Sequence, residues 1–347
     1  MSHEKYIRQI ALPQVGHSGQ QKLGHSRVLV VGAGGLGNAV LPYLASAGIG
    51  SIGVIDGDRV SLSNLHRQVL FSESDIGELK AAVACEKLVK QFPEAMLTPY
   101  SEFLTGENAL KLFAQYDIIL DATDAIDIRY LINDACIVTG KSFVHASVYR
   151  FQFQVALFNA NNSGTYRCLY PTAPKTTQSC EEAGVMPSTV AMAGLYEVNE
   201  VFKYLLDIGK SQINSLLLVD TLSNEQNNFS FERKNQDHIT RVFFEKEYQR
   251  IEQLAFANTE KDGYFLDVRE LDEQPTIALE NYVQIPLSAL EKSLELVPTN
   301  NPIYLFCQSG KRSKTAYRIL QGKGYTKLFC LTENAIEINK ITFEIIE

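Results

Sequence analysis

The chain has 347 residues, of which 45% are apolar and 21% charged. This ordinary globular composition excludes collagen-like, mucin-like and wholly disordered proteins. At about 150 residues per domain, the length predicts two domains, or one large and one small domain. Lys and Arg total 32 against 40 Asp and Glu, a net charge of −8. No overall positive field attracts nucleic acid or an anionic membrane, so we expect neither as a partner.

The sequence shows no membrane or export signal. No stretch approaches the roughly 18 to 20 uninterrupted apolar residues of a membrane-spanning helix, and the first residues lack the apolar run of a signal peptide. We therefore expect a cytoplasmic protein. The six cysteines are widely spaced and form no Cys-x-x-Cys pair, so neither a disulfide framework nor a zinc ribbon is indicated.

Strand and helix patterns alternate in the first part of the chain. The apolar run Arg27–Val31 predicts a strand that leads into a glycine-rich turn. A helix should follow, kinked at Pro42 and ending near Gly48, and then a second strand, Ser51–Ile55. This β-α-β unit favours parallel pairing. Similar patterns follow, with helices over residues 78–91, 107–114 and 127–138 and a strand over 117–121. They predict an open, doubly wound α/β sheet.

After residue 142 the sequence pattern changes from alternating helices and strands to consecutive strands. Strand patterns over 142–148, 151–158, 216–222 and 227–232 predict an antiparallel extension of the sheet, with a helix over 187–206. Residues 159–182 form a long segment without clear periodicity, and irregular segments of this length are usually functional or mobile. A polar stretch, 233–240, then precedes a new α/β unit. We place the boundary near Arg241, which gives domains of residues 1–240 and 241–347.

The glycine-rich turn predicts a nucleotide site. It contains Gly32, Gly34, Gly35 and Gly37. Glycines let the backbone approach a phosphate, and the following helix N-terminus favours an anion. Asp56, at the end of the second strand, can accept hydrogen bonds from ribose hydroxyls. These features fit an NAD-dependent dehydrogenase and an ATP enzyme equally well.

The next residues separate these two functions. Polar and charged side chains follow the second strand, namely Asp58, Asn64, Arg67, Gln68 and Lys80. Hydride transfer has no need of them, whereas Arg and Lys would suit a reaction in which charge builds on a phosphoryl group. A solvated polar loop is the alternative.

Five motifs follow one another along this part of the chain: Tyr6-x-Arg8-Gln9, the glycine turn, Asp56-x-Asp58, Ser61-Leu62-Ser63-Asn64-Leu65-x-Arg67-Gln68 and Asp121-x-Thr123-Asp124. Together they resemble the MoeB/ThiF family, bacterial relatives of ubiquitin-activating enzymes. The resemblance spans about residues 5–235 and implies a Rossmann-like, doubly wound mixed sheet. It also implies that Mg-ATP adenylates the C-terminal Gly-Gly carboxylate of a small ubiquitin-fold sulfur carrier, releasing pyrophosphate.

The resemblance also implies roles for single residues. Asp56 would hold the ribose, while Asn64, Arg67 and Lys80 would contact the ATP phosphates. Asp124 would hold Mg²⁺ and be essential for adenylation. The glycines, Asp58 and Gln68 complete the expected ATP site. Arg8 would reach the nucleotide of a partner subunit, which implies a homodimer.

The chain departs from the family at two places. Ala125 replaces the family's usual Asn, although Arg129 keeps its place. Many members bind zinc through two Cys-x-x-Cys pairs, but here only Cys168 and His238 remain, too few for a tetrahedral site, so we predict no structural zinc. Cys180 matches a cysteine that some members use in thioester or acyl-disulfide chemistry with the carrier. A loop cysteine without chemistry is the alternative.

A second cysteine motif lies near the C-terminus. Cys307 follows the strand pattern Ile303–Phe306 and precedes Gly310, Lys311 and Arg312, with a helix expected over 314–322. Backbone N–H groups, a helix N-terminus and two cations favour a thiolate nucleophile. The alternative is a buried inert cysteine, which we expect for Cys85 and Cys330. A phosphatase loop is disfavoured because only four residues separate Cys307 from Arg312.

Residues 262–338 resemble a shortened, divergent rhodanese domain through Leu266–Glu270, Ile285–Leu287, the Cys307 loop and Gly324-Tyr325. The resemblance implies that Cys307 carries sulfur as a persulfide, received from thiosulfate or a persulfide donor. Lys311 and Arg312 would help to bind an anionic donor, while Asp267 and Arg269 would be structural.

The two halves together predict a two-step enzyme. The first domain would adenylate the carrier, and the second would supply sulfur for the carrier thiocarboxylate in molybdopterin or thiamine synthesis. An NAD-dependent oxidoreductase leaves Lys80 and Cys307 without purpose. A docking protein that has lost catalysis would explain Ala125 and the missing zinc cysteines, but not the retained cations.

Overall fold

The computed structural model describes residues 4–172 and 184–346. The chain divides into two compact units, Met1–Gln249 and Arg250–Glu347. This division lies after the boundary predicted at residue 241, because the helix Arg241–Glu247 packs on the first unit. Phe244 is fully buried in a core of that unit, and the Tyr248 hydroxyl donates to Asp134 at 2.7 Å.

The first unit alternates helices and strands up to its fifth strand. Its helices are α1 (Ile7–Ile10), α2 (Gly16–His25), α3 (Gly35–Ser46), α4 (Lys80–Gln91), α5 (Ala109–Phe113), α6 (Ile126–Thr139), α7 (Tyr166–Leu169), α8 (Pro187–Leu206) and α9 (Arg241–Glu247). Its strands are β1 (Arg27–Val31), β2 (Ser51–Ile55), β3 (Met96–Tyr100), β4 (Ile118–Asp121), β5 (Ser142–Tyr149), β6 (Gln152–Phe158), β7 (Ser215–Asp220) and β8 (Glu225–Ser230).

These strands form one sheet of eight, in the order β3-β2-β1-β4-β5-β6-β7-β8. Pairing is parallel from β3 to β5 and antiparallel from β5 to β8. The predicted doubly wound mixed sheet is confirmed. Alternate side chains of β1 enter two separate cores, because successive residues of a strand face opposite sides of the sheet. Helix α3 continues through Pro42.

The second unit is a smaller parallel sheet. Its strands are β9 (Gln253–Leu254), β10 (Tyr264–Asp267), β11 (Tyr282–Gln284), β12 (Ile303–Phe306) and β13 (Leu328–Leu331), and its helices are α10 (Lys311–Gly322) and α11 (Ala335–Ile346). The strand order is β11-β10-β12-β13-β9, with every pair parallel. In the described part of the chain, no helix combines the length and apolar character needed to cross a membrane.

Candidate active site

The glycine-rich turn between β1 and α3 needs glycine for close packing. Gly32 has φ +102°, a conformation that L side chains rarely adopt. A Cβ on Gly37 would lie 2.2 Å from the Gly32 carbonyl oxygen, and one on Gly35 would lie 2.7 Å from Val190 Cγ1. A Cβ on Gly34 would meet only Gln68 Nε2, at 3.7 Å. Three of the four glycines are therefore required by the turn itself.

A cavity of about 260 Å³ lies at the carboxyl ends of β1, β2 and β4. The sheet reverses its winding between β1 and β4, and open α/β sheets bind ligands at such a point. Ten of the predicted site residues line the cavity, namely Gly32, Gly34, Gly35, Asp56, Asp58, Asn64, Arg67, Gln68, Lys80 and Asp124. Gly37 supports the turn without lining the cavity.

Asp56 is tied to the glycine turn. One carboxylate oxygen accepts the Ala33 N–H at 2.7 Å, and the other accepts the Asp58 N–H at 2.8 Å. Burial raises the pKa of Asp56, while these hydrogen bonds and the nearby Lys80 oppose the shift. The side chain thus fixes the turn at the place where the sequence predicts ribose binding.

The polar side of the cavity holds a buried cation. Lys80 is only 5% exposed, and its Nζ lies 3.3 Å from the carboxylate of the exposed Asp58. Gln68 is also buried and donates to Asn64 Oδ1 at 3.3 Å, while its own Oε1 has no hydrogen-bond partner among the described atoms. A buried ammonium is costly to desolvate, so an anion bound here would gain strongly from Lys80.

Asp124 follows β4 and lies exposed at the cavity wall. Its loop is stabilised by Asp121, which is fully buried and accepts the Thr123 N–H at 3.2 Å. Arg129 donates to the Thr123 carbonyl at 3.0 Å. These contacts fix the backbone on both sides of the strand end, so that Asp124 projects from a rigid support.

Sequence reasoning missed the buried partners of this loop. His145 on β5 is fully buried and shares a 2.7 Å hydrogen bond with Asp121 through Nδ1. Burial lowers the pKa of His145, and the Asp121 carboxylate opposes that shift. Glu197 on α8 is also fully buried, and burial raises its pKa well above the usual range. No motif marked either residue, since their burial depends on packing across the sheet.

The residues present are compatible with a nucleotide-bound Mg²⁺. Among the described residues, no group of three or more His, Cys, Asp and Glu side chains is placed to hold a metal by itself. Magnesium usually takes one or two protein carboxylates and completes its shell with substrate phosphates and water. The exposed carboxylate of Asp124 at the cavity wall fits that kind of site.

Cys168 lies in a shell of backbone groups. Its buried sulfur accepts the N–H groups of Thr165 at 3.3 Å and Lys234 at 3.2 Å. Burial raises the pKa of this thiol, but the Thr165 hydroxyl and these N–H groups outweigh burial, so the net shift is downward. His238 is exposed and contacts Phe243 edge to face.

In the second unit, Cys307 directly follows β12 and is 1% exposed. Gly310 takes a left-handed conformation, with φ +75°, and ends the loop at the first turn of α10. Cys307 Sγ lies 3.7 Å from the Ser313 hydroxyl, which donates to the Gly310 carbonyl. The cysteine therefore lies at a strand end beneath a loop that turns into a helix N-terminus.

The other cysteines of the described chain lack such a loop. Cys85 and Cys330 are buried, and burial raises their thiol pKa values to about 12 and about 11. Asp267 and Arg269 form a fully buried ion pair at 2.7 Å. Their predicted structural role agrees with this geometry, because such a pair fixes the end of β10 and offers no surface to a donor.

Two predicted residues remain to be placed. Arg8 is exposed on α1 and does not line the cavity, so its action on a partner's nucleotide stays a prediction. Cys180 lies outside the described residues. The cavity also includes residues that no motif identified, among them Phe103, Ser147 and Val185.

Comparison with known proteins agrees with this division of the chain. The ThiF family matches residues 6–240, and the rhodanese-like domain family matches residues 250–337. A sulfur carrier protein adenylyltransferase of Thermus thermophilus is 45% identical over 63% of this chain and 83% of its own length. The adenylyltransferase and sulfurtransferase MOCS3 of Xenopus laevis is 32% identical, over 91% and 81%.

A second fused relative extends this agreement. The adenylyltransferase and sulfurtransferase uba4 of Ogataea parapolymorpha is 32% identical over 96% of this chain and 93% of its own length. Among solved structures, E. coli MccB with MccA-N7isoASN superposes with a TM-score of 0.59 at 22% identity, over 67% of this chain and 73% of that one. That likeness concerns the fold. The chain belongs to the ThiF family and carries a C-terminal rhodanese-like domain.

Proposed function

We propose that this protein uses ATP to adenylate the C-terminal Gly-Gly carboxylate of a ubiquitin-fold sulfur carrier and then supplies sulfur to form the carrier thiocarboxylate. One observation carries the proposal: a cavity with a glycine turn, Arg67 and Lys80 is joined in one chain to a cysteine loop of rhodanese type. The fused relatives carry both activities in their names.

The first step brings two anions together. The carrier carboxylate attacks the α-phosphate, and pyrophosphate leaves. Arg67 and Lys80 line the cavity and would reduce the repulsion between carboxylate and phosphates as well as stabilise the leaving group. Mg²⁺, held by Asp124 and the phosphates, would neutralise part of the phosphate charge. Asp56 and the glycine turn would position the nucleotide.

The second step uses Cys307 as a persulfide. Its terminal sulfur would attack the activated carbonyl of the carrier, and AMP would leave. A second thiol would then attack the Cys307 sulfur of the resulting acyl disulfide, form a disulfide with Cys307 and release the carrier thiocarboxylate, and a thiol reductant would regenerate the cysteine. A position at a strand end, beside a helix N-terminus, suits a sulfur anion. Thiosulfate or a persulfide would reload the cysteine. Cys180 stays the candidate for a second covalent link to the carrier.

Four finer features belong to the same proposal. We infer a homodimer in which Arg8 reaches the partner subunit's nucleotide, a cytoplasmic location, no structural zinc, and a product that serves molybdopterin or thiamine synthesis. The exposed position of Arg8 outside its own cavity supports the first of these. Cys168, whose sulfur is already bonded to backbone N–H groups, supports the third.

ATP–pyrophosphate exchange tests the proposal. The purified chain is assayed with Mg²⁺ and with single ubiquitin-fold carriers that end in Gly-Gly, and each carrier is matched by a variant that lacks the final glycine. Exchange with one intact carrier and none with its truncated form is expected. A chain that binds the carrier without ATP and never exchanges pyrophosphate would instead be a docking protein.

A further inference from the structure

The Cys307 loop contains a neutralised cation. Arg312, in the first turn of α10, forms two hydrogen bonds with the carboxylate of Glu273, one from Nη1 to Oε1 and one from Nη2 to Oε2 at 2.8 Å. Such a bidentate pair is the strong form of an Arg–carboxylate contact. The side chains are 29% and 31% exposed, so the pair lies at the surface.

Glu273 is held in place from its own side as well. The Glu270 N–H donates to Glu273 Oε1 at 2.8 Å, within a turn closed by the Glu273 N–H and the Glu270 carbonyl. The hydrogen bond from Arg312 lowers the pKa of Glu273 to about 2. The carboxylate therefore stays ionised throughout the neutral range and compensates the charge of Arg312.

Arg312 is close enough to Cys307 for their charges to interact. The hydrogen bond that Arg312 donates to Glu273 raises the pKa of Arg312 most, and the negative charge of Cys307 adds to that shift. Arg269 is fully buried against Asp267. The guanidinium groups of Arg269 and Arg312 are thus both paired with carboxylates, while the side chain of Lys311 lies outside the described residues.

We propose that Glu273 sets the charge selectivity of the Cys307 loop, because it neutralises Arg312 and so disfavours small dianionic sulfur donors relative to uncharged reagents. The inference rests on the proposed role of Cys307 as persulfide carrier. It differs from the expectation that Arg312 helps to bind an anionic donor. Arg312 can do so only after Glu273 has been displaced or its charge removed.

The charge matters for a defined step. With thiosulfate, the Cys307 thiolate attacks the outer sulfur, the sulfur–sulfur bond breaks, and sulfite leaves with the bonding electron pair. Cys307 keeps the transferred sulfur as a persulfide, and no electrons are gained from outside. A thiolate and a dianion repel each other, so the rate depends on positive charge beside the sulfur.

Glu273→Gln tests the proposal because it removes the charge and keeps the shape and hydrogen-bonding oxygen of the side chain. Glu291→Gln is the matched control, since it removes the same charge from an exposed position on the short helix Leu290–Lys292. Mass spectrometry of the full chain follows alkylation of Cys307 by anionic iodoacetate and neutral iodoacetamide. Their rate ratio cancels differences in thiolate content.

For Glu273→Gln, we expect the iodoacetate-to-iodoacetamide ratio to rise about threefold. Because thiosulfate carries twice the charge, kcat/KM for thiosulfate with cyanide as acceptor should rise about tenfold. Unchanged values, or equal changes in Glu291→Gln, would overturn the role of Glu273. Thiosulfate turnover that persists in Cys307→Ser would overturn the proposed function instead, while the alkylation ratio would still test Glu273.

Discussion

Glu197 provides a quantitative test of the structure beneath the nucleotide cavity. It is 0% exposed on α8, and within the described part of the chain its carboxylate has no side-chain hydrogen-bond donor. Burial, and next the negative charge of Asp121, raise the pKa of Glu197 well above its ordinary value of 4.5, while the Ala146 N–H and the charge of Arg129 oppose the shift. Burial therefore favours the neutral form of the native carboxyl.

The sign of the pH effect follows from proton counting. Above pH 4.5 the unfolded chain releases the Glu197 proton and the native chain keeps it, so stability falls as the pH rises. The slope approaches about 1.4 kcal/mol per pH unit for as long as the native carboxyl stays protonated. Glu197→Gln removes this loss, because an amide does not ionise.

The expected gain grows from pH 5 to pH 7 by up to about 2.7 kcal/mol, two units at that slope. At about 2–4 °C per kcal/mol for a unit of this size, the rise in Tm should be larger at pH 7 than at pH 5, by up to about 5–10 °C. Scanning calorimetry of the wild type and of Glu197→Gln, as full chains at both pH values, measures this difference in Tm. A variant as pH-sensitive as the wild type, or less stable at pH 7, would refute the reasoning.

Glu200 is the matched control on the same helix. It is 3% exposed, but it pairs with Lys203 and accepts the Gln212 N–H at 2.8 Å. Loss of these charged hydrogen bonds in Glu200→Gln should destabilise the chain by about 1.5–3 kcal/mol at pH 7. The two substitutions are chemically identical, so opposite signs would show that the partners of each carboxylate decide the outcome.

Three further predictions concern the two sites. Asp124→Asn should lower ATP–pyrophosphate exchange at least about a hundredfold, because the carboxylate proposed to hold Mg²⁺ beside the phosphates is lost. The control Asp127→Asn, on the exposed first turn of α6, should leave exchange unchanged. Equal losses in both variants would refute the role of Asp124. Cys307→Ser should leave exchange unchanged and abolish sulfur transfer, and a normal thiocarboxylate yield would contradict this. Gly37→Ala should destabilise the first unit in urea unfolding by about 3 kcal/mol or more, because its Cβ would lie 2.2 Å from a carbonyl oxygen, and a stable variant would contradict the packing described.

Much of the first unit could be predicted from its sequence. Strands such as Arg27–Val31 are continuous apolar runs bounded by turns, and the spacing of the alternating helices specifies parallel pairing. The strand Met96–Tyr100 was missed, because it contains Pro99 and exposes most of its side chains at the sheet edge. Edge strands bury little, so their sequences show weak hydrophobic periodicity.

The sequence predicts those cavity residues whose chemistry and spacing along the chain form a recognisable pattern. Asp56, Lys80 and Asp124 follow recognisable motifs, and all three line it. The hydrogen bond between Asp121 and His145 joins residues 24 positions apart, on neighbouring strands whose register no local pattern determines. Glu197 lies on a helix that the sequence predicts, but a fully buried glutamate without a side-chain partner contradicts the usual preference for exposed carboxylates.

The ion pair between Glu273 and Arg312 could not be predicted either, because its two residues lie far apart in the sequence. The resemblance to a rhodanese domain implies that Arg312 helps to bind an anionic donor, while Glu273 lies 39 residues earlier in an irregular segment. Only tertiary structure brings the two together, and the pairing changes what the cation can do. Sequence motifs thus predicted the candidate reacting groups, whereas the charges that surround them required the fold.

The formation of carrier thiocarboxylate tests the central claim most directly. The full chain, ATP, Mg²⁺, thiosulfate or a persulfide, a thiol reductant and a Gly-Gly carrier are incubated together, and mass spectrometry follows replacement of one carrier oxygen by sulfur. The account predicts conversion by the wild type, none by Asp124→Asn, and arrest at pyrophosphate release in Cys307→Ser. A carrier that stays unmodified by the wild type although it binds, or that is converted by Cys307→Ser, would contradict it.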